Sequence, residues 1–212
     1  MTETTHLNSA VEALLQCYKD GVFPMSDSRD DTSVFVLDPE LRGVIPLDGL
    51  HISKSLRKFM RKSDWTVRYN ADFASVIELC AELAEDRKDT WISFGLESLY
   101  IALHEKGYAY SVAVYEDDKL IGGLYGVSIG AAFFGESMVS RRTNASKVAL
   151  VGLVKALNQQ GYQLLDTQFL TPHLASLGGI EIPRRIYQKH LKQALQSEAK
   201  FQTGNIDVRT LI

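Results

Sequence analysis

The stretch from Leu120 to Gly178 constrains the fold of this 212-residue chain more than any other part. It opens with an apolar, glycine-rich run from Leu120 to Phe134, which is typical of two strands. The glycines leave one strand face without side chains, so a ligand or another backbone can approach closely. A helix is predicted from Ala145 to about Gln160 with Asn144 as its N-cap, followed by a strand from Leu164 to Phe169.

Three polar residues stand out within these apolar elements. Asp166 and Gln168 lie two positions apart in a strand, so we expect both side chains on the same face. Glu136 lies at the end of the phenylalanine-rich strand that precedes the helix. Polar groups on an apolar strand need hydrogen-bond partners or a function, so these three residues form the candidate site. The alternative is that the two carboxylates only bind backbone at strand ends; from the pattern alone it is the favoured interpretation for Glu136.

Composition places the chain among ordinary soluble proteins, with 45% hydrophobic and 23% charged residues. No apolar run approaches the roughly 20 residues of a membrane span, and the polar start is unlike a signal peptide. Cys17 and Cys80 lack the spacing of a metal site or a disulfide framework, which indicates buried, reduced thiols. We therefore expect a cytoplasmic protein.

Positive charge is concentrated in one predicted helix, Ser53 to Arg61, with Ser53 as N-cap. The net charge is −3, but the segment from His51 to Lys62 carries +5 and no acid, so the remainder carries −8. A solvated helix face is the alternative interpretation. Without acidic partners the cations repel one another, which favours an anionic partner such as an RNA backbone. The five cations are Lys54, Arg57, Lys58, Arg61 and Lys62.

The remaining patterns predict further helices and strands, and their order is typical of a mixed α+β fold. Trp91 is either a core residue or an aromatic platform at the mouth of a site, and the pattern favours the core. The tail from Ser197 is assigned only as a possible late strand. The predicted helices are Ala10–Lys19, Phe73–Ala84, Gly95–Glu105 and Arg184–Gln196; the strands are Val34–Leu37, Trp65–Tyr69 and a hairpin within Ala109–Val127, with a charged loop at Glu85–Thr90.

Eight short motifs follow one another in a recognisable order and spacing. Together they resemble the leucyl/phenylalanyl-tRNA–protein transferases over roughly Ala10 to Leu195; each motif alone is weak, and eight in register are strong. The motifs are Phe23-Pro24-Met25, Leu50 to Ser55, Thr90-Trp91-Ile92, Gly122 to Val127, Gly135 to Met138, Asn144 to Lys147, Asp166-Thr167-Gln168 and His173 to Gly178.

The resemblance implies a small N-terminal domain, residues 1–62 with the basic helix, followed by a domain of the GCN5-related acetyltransferase type, residues 63–212, with a mixed central sheet. It implies transfer of Leu, Phe or Met from aminoacyl-tRNA to proteins that begin with Arg or Lys, which marks them for N-degron proteolysis. An aminoacyl ester is already activated, so neither a covalent nucleophile nor a metal or other cofactor is required. We expect a monomer.

By position, the resemblance makes Asp166, Gln168 and Glu136 catalytic. Asp166 would orient Gln168 or fix charge at the amine, Gln168 or a strand N–H would contact the reacting carbonyl, and Glu136 would hold the ribose or the cationic acceptor residue. It moves Trp91 from the core to the site. Substrate-binding candidates are Phe133, Phe134, Met138, Ser140 and Leu170, with core packing the alternative for the apolar four; the basic helix would bind tRNA.

The chain departs from the family pattern at four places, which puts side-chain preference and rate in question: Tyr110 and Ala113 in one motif, Val36, Val139 and Tyr115. One rival function is an acyl-CoA-dependent N-acetyltransferase, although the segment Arg141 to Ser146 lacks the glycines that bind pyrophosphate. The other rival is a non-catalytic tRNA-binding paralogue.

Overall fold

The computed structural model describes residues 3–83 and 89–212. The helices are α1 Glu3–Asp20, α2 Lys54–Lys62, α3 Phe73–Ala81, α4 Phe94–Glu105, α5 Ala145–Gln159, α6 Pro172–Ser176 and α7 Arg184–Leu195. The strands are β1 Phe23–Met25, β2 Phe35–Leu37, β3 Leu41–Val44, β4 Thr66–Tyr69, β5 Ala109–Glu116, β6 Lys119–Ile129, β7 Ala132–Ser140, β8 Leu164–Gln168, β9 Ile180–Pro183 and β10 Gly204–Asp207.

An eight-stranded mixed sheet runs through these residues in the order β10-β4-β5-β6-β7-β8-β3-β9, and β1 and β2 form a separate pair. Its strand pairs are antiparallel except β7 and β8, which run parallel. The parallel pairing covers only Ala132–Phe134 against Leu164–Asp166, although β7 continues to Ser140. Beyond Phe134, β7 and β8 therefore part and leave a gap in the sheet.

Two hydrophobic cores cover the two faces of the sheet, as strand alternation requires. Along β5, Val112 and Val114 pack with α5, whereas Ala113 and Tyr115 pack with α1, α3 and α4 on the other face. The predicted α+β pattern is confirmed as a mixed α/β fold with a large sheet. In the part of the chain that the structure describes, no helix is long and apolar enough to cross a membrane.

The glycines of β6 serve packing between elements. A Cβ on Gly122 would lie 2.6 Å from the Cβ of Ala145 in α5, and one on Gly126 would lie 2.3 Å from the carbonyl oxygen of Phe134. Both approaches are closer than a side chain allows. The sequence left open whether the glycines make room for a ligand or for other parts of the protein. At Gly122 and Gly126 they make room for protein atoms.

The helix ends were predicted with mixed success. Ser53 caps α2 as predicted, accepting the N–H of Leu56 at 3.2 Å. Asn144 is the N-cap of α5 by position, because its carbonyl accepts the N–H of Val148 at 2.9 Å, but its φ is +79° and its side chain makes no capping bond. The Ser140 hydroxyl instead accepts the N–H of Ser146 at 2.9 Å, because the chain turns tightly between β7 and α5.

Other element boundaries differ from the predicted ones. The first helix begins at Glu3 instead of Ala10, and β7 runs on to Ser140, so Glu136 lies within a strand instead of at its end. The short α6 and β9 were missed, whereas β10 matches the late strand. The end of the predicted helix at Ala84 and most of the predicted loop at Glu85–Thr90 fall on residues 84–88, outside the described residues.

The first 62 residues contribute a strand to the main sheet. β3 lies between β8 and β9 and pairs antiparallel with both. Residues on either side of the expected boundary at 62/63 thus share one sheet, and the division into two domains stays a prediction.

Candidate active site

A cavity of about 370 Å³ occupies the gap where β7 and β8 part. Gly135 to Met138 of β7 form one wall, and Leu165, Thr167 and Gln168 of β8 form the other. The floor is apolar because Leu150 and Leu153 of α5 pack beneath the gap. Trp91 and Met25 line the cavity from the opposite sheet face. An apolar cavity with a few polar groups is the usual form of a small-ligand site.

Glu136 lies at the centre of a hydrogen-bond network in this cavity. Its Oε1 accepts the Tyr18 hydroxyl at 2.8 Å, and its Oε2 accepts the Tyr100 hydroxyl and the Gln168 amide Nε2, each at 2.9 Å. The hydroxyl oxygens of Tyr18 and Tyr100 are 2.7 Å apart. Helices α1 and α4 thus hold the carboxyl group between two phenols.

The three oxygen–oxygen contacts among Tyr18, Tyr100 and Glu136 need one proton each. The two tyrosines bring two hydroxyl protons, but the two hydroxyls and the carboxyl group make three oxygen–oxygen contacts. Protonation of Glu136 at Oε1 would reverse the bond to Tyr18: Oε1–H donates to the Tyr18 hydroxyl, Tyr18 donates to Tyr100, and Tyr100 donates to Oε2, so that all three contacts hold a proton. The geometry therefore suits a carboxyl group that can carry a proton.

The buried surroundings of Glu136 also favour its protonated form, because they raise its pKa. Desolvation raises its pKa to about 7, although the hydrogen bonds from Tyr18, Gln168 and Tyr100 lower it. Desolvation also raises the pKa of the Tyr18 and Tyr100 hydroxyls well above 10, so both stay protonated near neutral pH. Glu136 is thus the member of the network that titrates near pH 7.

Asp166 is fully buried behind the cavity and forms an ion pair. Its Oδ1 accepts Arg42 Nε at 2.9 Å, and its Oδ2 accepts Arg42 Nη2 at 2.7 Å and the Tyr187 hydroxyl at 2.8 Å. The guanidinium also donates to the Gly21 carbonyl at 2.9 Å and lies 4.5 Å from the ring centroids of Phe23 and Tyr187. Burial alone would lower the pKa of Arg42, but Asp166 outweighs it and raises that pKa.

Gln168 connects the buried pair to the cavity. Its φ of +64° is left-handed, a costly conformation for a residue other than glycine, and Asp166 Oδ1 accepts its backbone N–H at 2.8 Å. This turn directs the amide of Gln168 toward Glu136. Asp166 and Gln168 therefore act in different places: Gln168 lines the cavity, whereas Asp166 holds the backbone that positions it.

The other predicted substrate-binding residues are distributed as follows. Trp91 and Met138 line the cavity with Glu136 and Gln168. Phe134 and Phe133 lie fully buried in the cores of opposite sheet faces, where they pack against Tyr18 and Tyr162.

Ser140 and Leu170 lie outside the cavity wall. Ser140 caps α5 through the N–H of Ser146. Leu170 is half-buried next to Gly43 and Gly179. Both positions have local structural explanations.

The predicted tRNA-binding residues all lie on α2, which buries Leu56 and Met60. Lys54, Lys58 and Lys62 are exposed, as is Arg61, and Arg57 is half-buried. Among residues 3–83 and 89–212, no acidic side chain forms an ion pair with these five cations.

Sequence reasoning missed the residues that hold the polar trio. Tyr18, Tyr100 and Tyr187 lie in predicted helices, and none of them was assigned a role in the site. Arg42 carried a signal that could have been used, because a charged residue directly before the apolar Gly43-Val44-Ile45 run needs a buried partner. The buried hydroxyls of Thr167 and Tyr125, both in the cavity wall, have no hydrogen-bond partner among the described residues.

The part of the chain that is described contains no cluster of three His, Cys, Asp or Glu side chains that could hold a metal ion. Fold and site thus define a mixed α/β protein whose apolar cavity presents a carboxyl group and an amide, a site suited to binding and orienting an organic group.

Comparisons with known proteins identify the family. The family model described as leucyl/phenylalanyl-tRNA protein transferase matches residues 44–192. A leucyl/phenylalanyl-tRNA–protein transferase of Cereibacter sphaeroides is 55% identical over 188 residues, covering 89% of this chain and 86% of its own length. Proteins of that name from Ruegeria sp. and Dinoroseobacter shibae are 53% and 52% identical; they cover 91% and 89% of this chain and 90% and 82% of their own lengths. The chain belongs to the leucyl/phenylalanyl-tRNA–protein transferase family and is an enzyme. The resemblance found in the sequence is confirmed.

Proposed function

We propose that the protein transfers Leu, Phe or Met from aminoacyl-tRNA to the N-terminal Arg or Lys of acceptor proteins. The observation that carries this proposal is the hydrogen bond from Gln168 Nε2 to Glu136 Oε2, 2.9 Å long, in the wall of an apolar cavity. The names of the relatives support aminoacyl transfer from tRNA to protein.

The reaction is aminolysis of an activated ester. The neutral α-amine of the acceptor attacks the ester carbonyl carbon, a C–N bond forms, and the C–O bond to the terminal ribose breaks. The nitrogen loses a proton and the departing ribose oxygen gains one. An α-amine has a pKa of roughly 7.7–8.0, so a usable neutral fraction exists at pH 7. Correct orientation of amine and ester can supply about 7–11 kcal/mol of the barrier in favourable cases.

In the proposed mechanism Glu136 accepts the proton from the attacking amine. A base works best when its pKa lies near the working pH, and desolvation raises the pKa of Glu136 to about 7. The proton then occupies the position that completes the ring with Tyr18 and Tyr100. This role replaces the one that the family resemblance suggested for Glu136, at the ribose or the cationic residue.

Gln168 contacts the reacting carbonyl in this scheme. One N–H of its amide is used by Glu136, and the second N–H remains to stabilise the developing oxyanion. Asp166 acts as a positioning residue, because it is saturated by Arg42, Tyr187 and the Gln168 N–H.

The apolar floor receives the side chain of the transferred amino acid. Leu, Phe and Met share an unbranched β-carbon, and a cavity walled by Met138, Leu150 and Leu153 selects them by shape. Each methylene contributes only about 1–3 kcal/mol to such discrimination, so selectivity over Ile and Val is moderate. Trp91 supplies an aromatic wall beside the terminal adenosine.

Helix α2 binds the tRNA backbone through its five cations. The parting of two parallel strands supports a catalytic domain of the GCN5-related acetyltransferase type. The enzyme is a cytoplasmic monomer, and its products are substrates for N-degron proteolysis.

Transfer of labelled Leu from Leu-tRNA to an Arg-starting peptide tests the proposal. We expect activity without added cofactor, and no transfer when the peptide is N-acetylated. Absence of transfer by a folded enzyme that still binds Leu-tRNA would instead identify a non-catalytic tRNA-binding paralogue.

The acyl-CoA rival is tested separately. Arg141 and Arg142 before α5 form ion pairs with Glu82 and Glu116, which reduces the charge available to a pyrophosphate. We therefore expect acetyl-CoA to leave the melting temperature unchanged; a rise of several degrees would support that rival.

A further inference from the structure

Strand β2 has a free edge beside the cavity. Among the described residues it pairs only with β1, and Val36 lies opposite Pro24. Because proline has no N–H, this pair cannot exchange both ladder hydrogen bonds and is a non-hydrogen-bonded pair. The N–H and C=O of Val36 therefore point away from β1, and no turn or loop hydrogen bond of a described residue reaches them.

The side chains of β2 are also unusually exposed. Val36 is 55% exposed and Phe35 is 38% exposed. Proteins usually protect a free strand edge with charges, proline or a covering element, because an unprotected edge pairs with other chains. The three residues of β2 carry neither a charge nor a proline; Asp38 and Pro39 follow it and limit the free edge to this one short strand. The free edge of β2 thus has the features of a strand-binding surface.

We propose that the free edge of β2 binds the acceptor polypeptide as an added strand, just behind the N-terminal residue that enters the cavity. This inference rests on the proposed function. In it, the N–H and C=O of Val36 pair with the acceptor backbone, and side chains of the acceptor pack on Phe35 and Val36.

The position of β2 relative to the cavity supports this occupant. Met25 of β1 lines the cavity and lies opposite Phe35 of β2. The next residue, Ser26, donates its N–H to the carbonyl of the cavity residue Trp91 at 3.3 Å. Neighbouring strands lie about 4.8 Å apart, so an acceptor spans the distance from cavity to edge in roughly three to five extended residues.

Charge favours a basic acceptor over tRNA at this surface. The segment from Asp27 to Glu40 contains five acids and one arginine, a formal charge of −4, whereas His51 to Lys62 carries +5. Asp27 and Asp30 are exposed, and no described residue forms an ion pair with either. An acceptor that begins with Arg or Lys is attracted to this side, and an RNA backbone is repelled.

The substitution Val36→Pro tests whether the backbone N–H of residue 36 binds the acceptor. Proline at 36 removes the outward N–H and leaves the bonds to β1 untouched, since those bonds come from Phe35 and Leu37. Val36→Thr is the matched control, because it keeps the N–H and the β-branched shape. Circular dichroism and melting temperature establish that both variants fold.

The readout compares two acceptors, a ten-residue peptide that begins with Arg and an Arg dipeptide too short to reach β2. We expect Val36→Pro to raise KM for the long peptide roughly three- to tenfold. The KM for the dipeptide and the affinity for Leu-tRNA should stay unchanged. A second test does not depend on the folding of Val36→Pro: the long peptide is N-methylated at one backbone position between residues three and five. We expect the wild-type enzyme to show the same rise in KM for this peptide.

Charge is tested by the double variant Asp27→Asn, Asp30→Asn. We expect it to raise KM for the long peptide at low salt only, whereas Glu105→Asn with Glu198→Asn, an equal charge change at exposed sites elsewhere, has no effect. Equal KM values for Val36→Pro and wild type on both acceptors would overturn the proposal, as would dimerisation that Val36→Pro abolishes. Failure of the proposed function is distinct, since wild type would then modify neither acceptor.

Discussion

At the scale of single residues, the environment of Glu136 links its ionisation to stability. An acid whose pKa rises from 4.5 to about 7 on folding favours the folded state most when protonated. Its contribution is fully present below pH 4.5 and is lost as the pH rises through 7.

We therefore predict that Glu136→Gln flattens the stability profile. The wild-type protein loses free energy of unfolding between pH 5 and pH 8 and the variant does not. The difference between the two proteins therefore shifts in favour of the variant by on the order of 2 kcal/mol over this range, after a discount for water in the cavity. Urea unfolding at both pH values measures this difference. An unchanged difference between the two proteins at pH 5 and pH 8 would show that Glu136 is ionised throughout.

A second residue-scale prediction concerns the ion pair behind the cavity. Asp166→Asn leaves the Arg42 guanidinium buried without its counter-charge, so we expect a loss of about 3–5 kcal/mol in the free energy of unfolding. Asp118→Asn breaks an ion pair whose carboxylate is 97% exposed and serves as the control, with an expected loss below about 1 kcal/mol. Similar losses in the two variants would contradict the structural role of Asp166.

At the scale of elements, the packing of β6 against β7 fixes the strand that carries Glu136. A Cβ on Gly126 would lie 2.3 Å from the Phe134 carbonyl and 2.4 Å from a ring carbon of Phe133. We predict that Gly126→Ala destabilises the enzyme by roughly 1–3 kcal/mol and lowers transfer activity, because β7 must move. Gly95→Ala on the open side of α4 is the control and should be neutral or slightly stabilising. Chemical denaturation distinguishes the two.

Helix α2 gives a prediction about tRNA. Replacing Lys58, Arg61 and Lys62 with Gln should weaken tRNA binding, because fewer phosphates are neutralised. The slope of log affinity against log salt should fall by roughly 0.7–0.9 for each phosphate that the helix no longer neutralises. The same three-charge change at Arg185, Lys189 and Lys192, exposed on α7, is the control. Equal slopes for both variants would show that α2 is not the tRNA-binding surface.

At the scale of the whole molecule, sequence patterns predicted the mixed fold and the residues that touch the cavity centre. Glu136 and Gln168 were identifiable because polar residues in apolar strands need partners. The partners themselves were not: Arg42 and Tyr187 meet Asp166 only through pairing of β3 and β8 and packing of α7. The separate roles of Asp166 and Gln168 were also hidden, because strand alternation does not reveal that Gln168 has a φ of +64°.

The two charged segments also show what sequence alone leaves open. The basic segment was evident as a run of five cations on one predicted helix. The acidic segment became meaningful only when β1 and β2 placed it beside the cavity. The place of the acidic segment relative to the cavity follows from strand pairing, which the sequence pattern alone does not reveal.

The central claim is that Glu136 and Gln168 together promote aminolysis of the tRNA ester. Single-turnover transfer of Leu from Leu-tRNA to an Arg-starting peptide tests it most directly, with wild type, Glu136→Ala and Gln168→Ala compared at saturating substrates. We predict that each folded variant is slower by about 10²–10³-fold, as expected for loss of a general base or an oxyanion donor. Wild-type rates in both variants would contradict the claim.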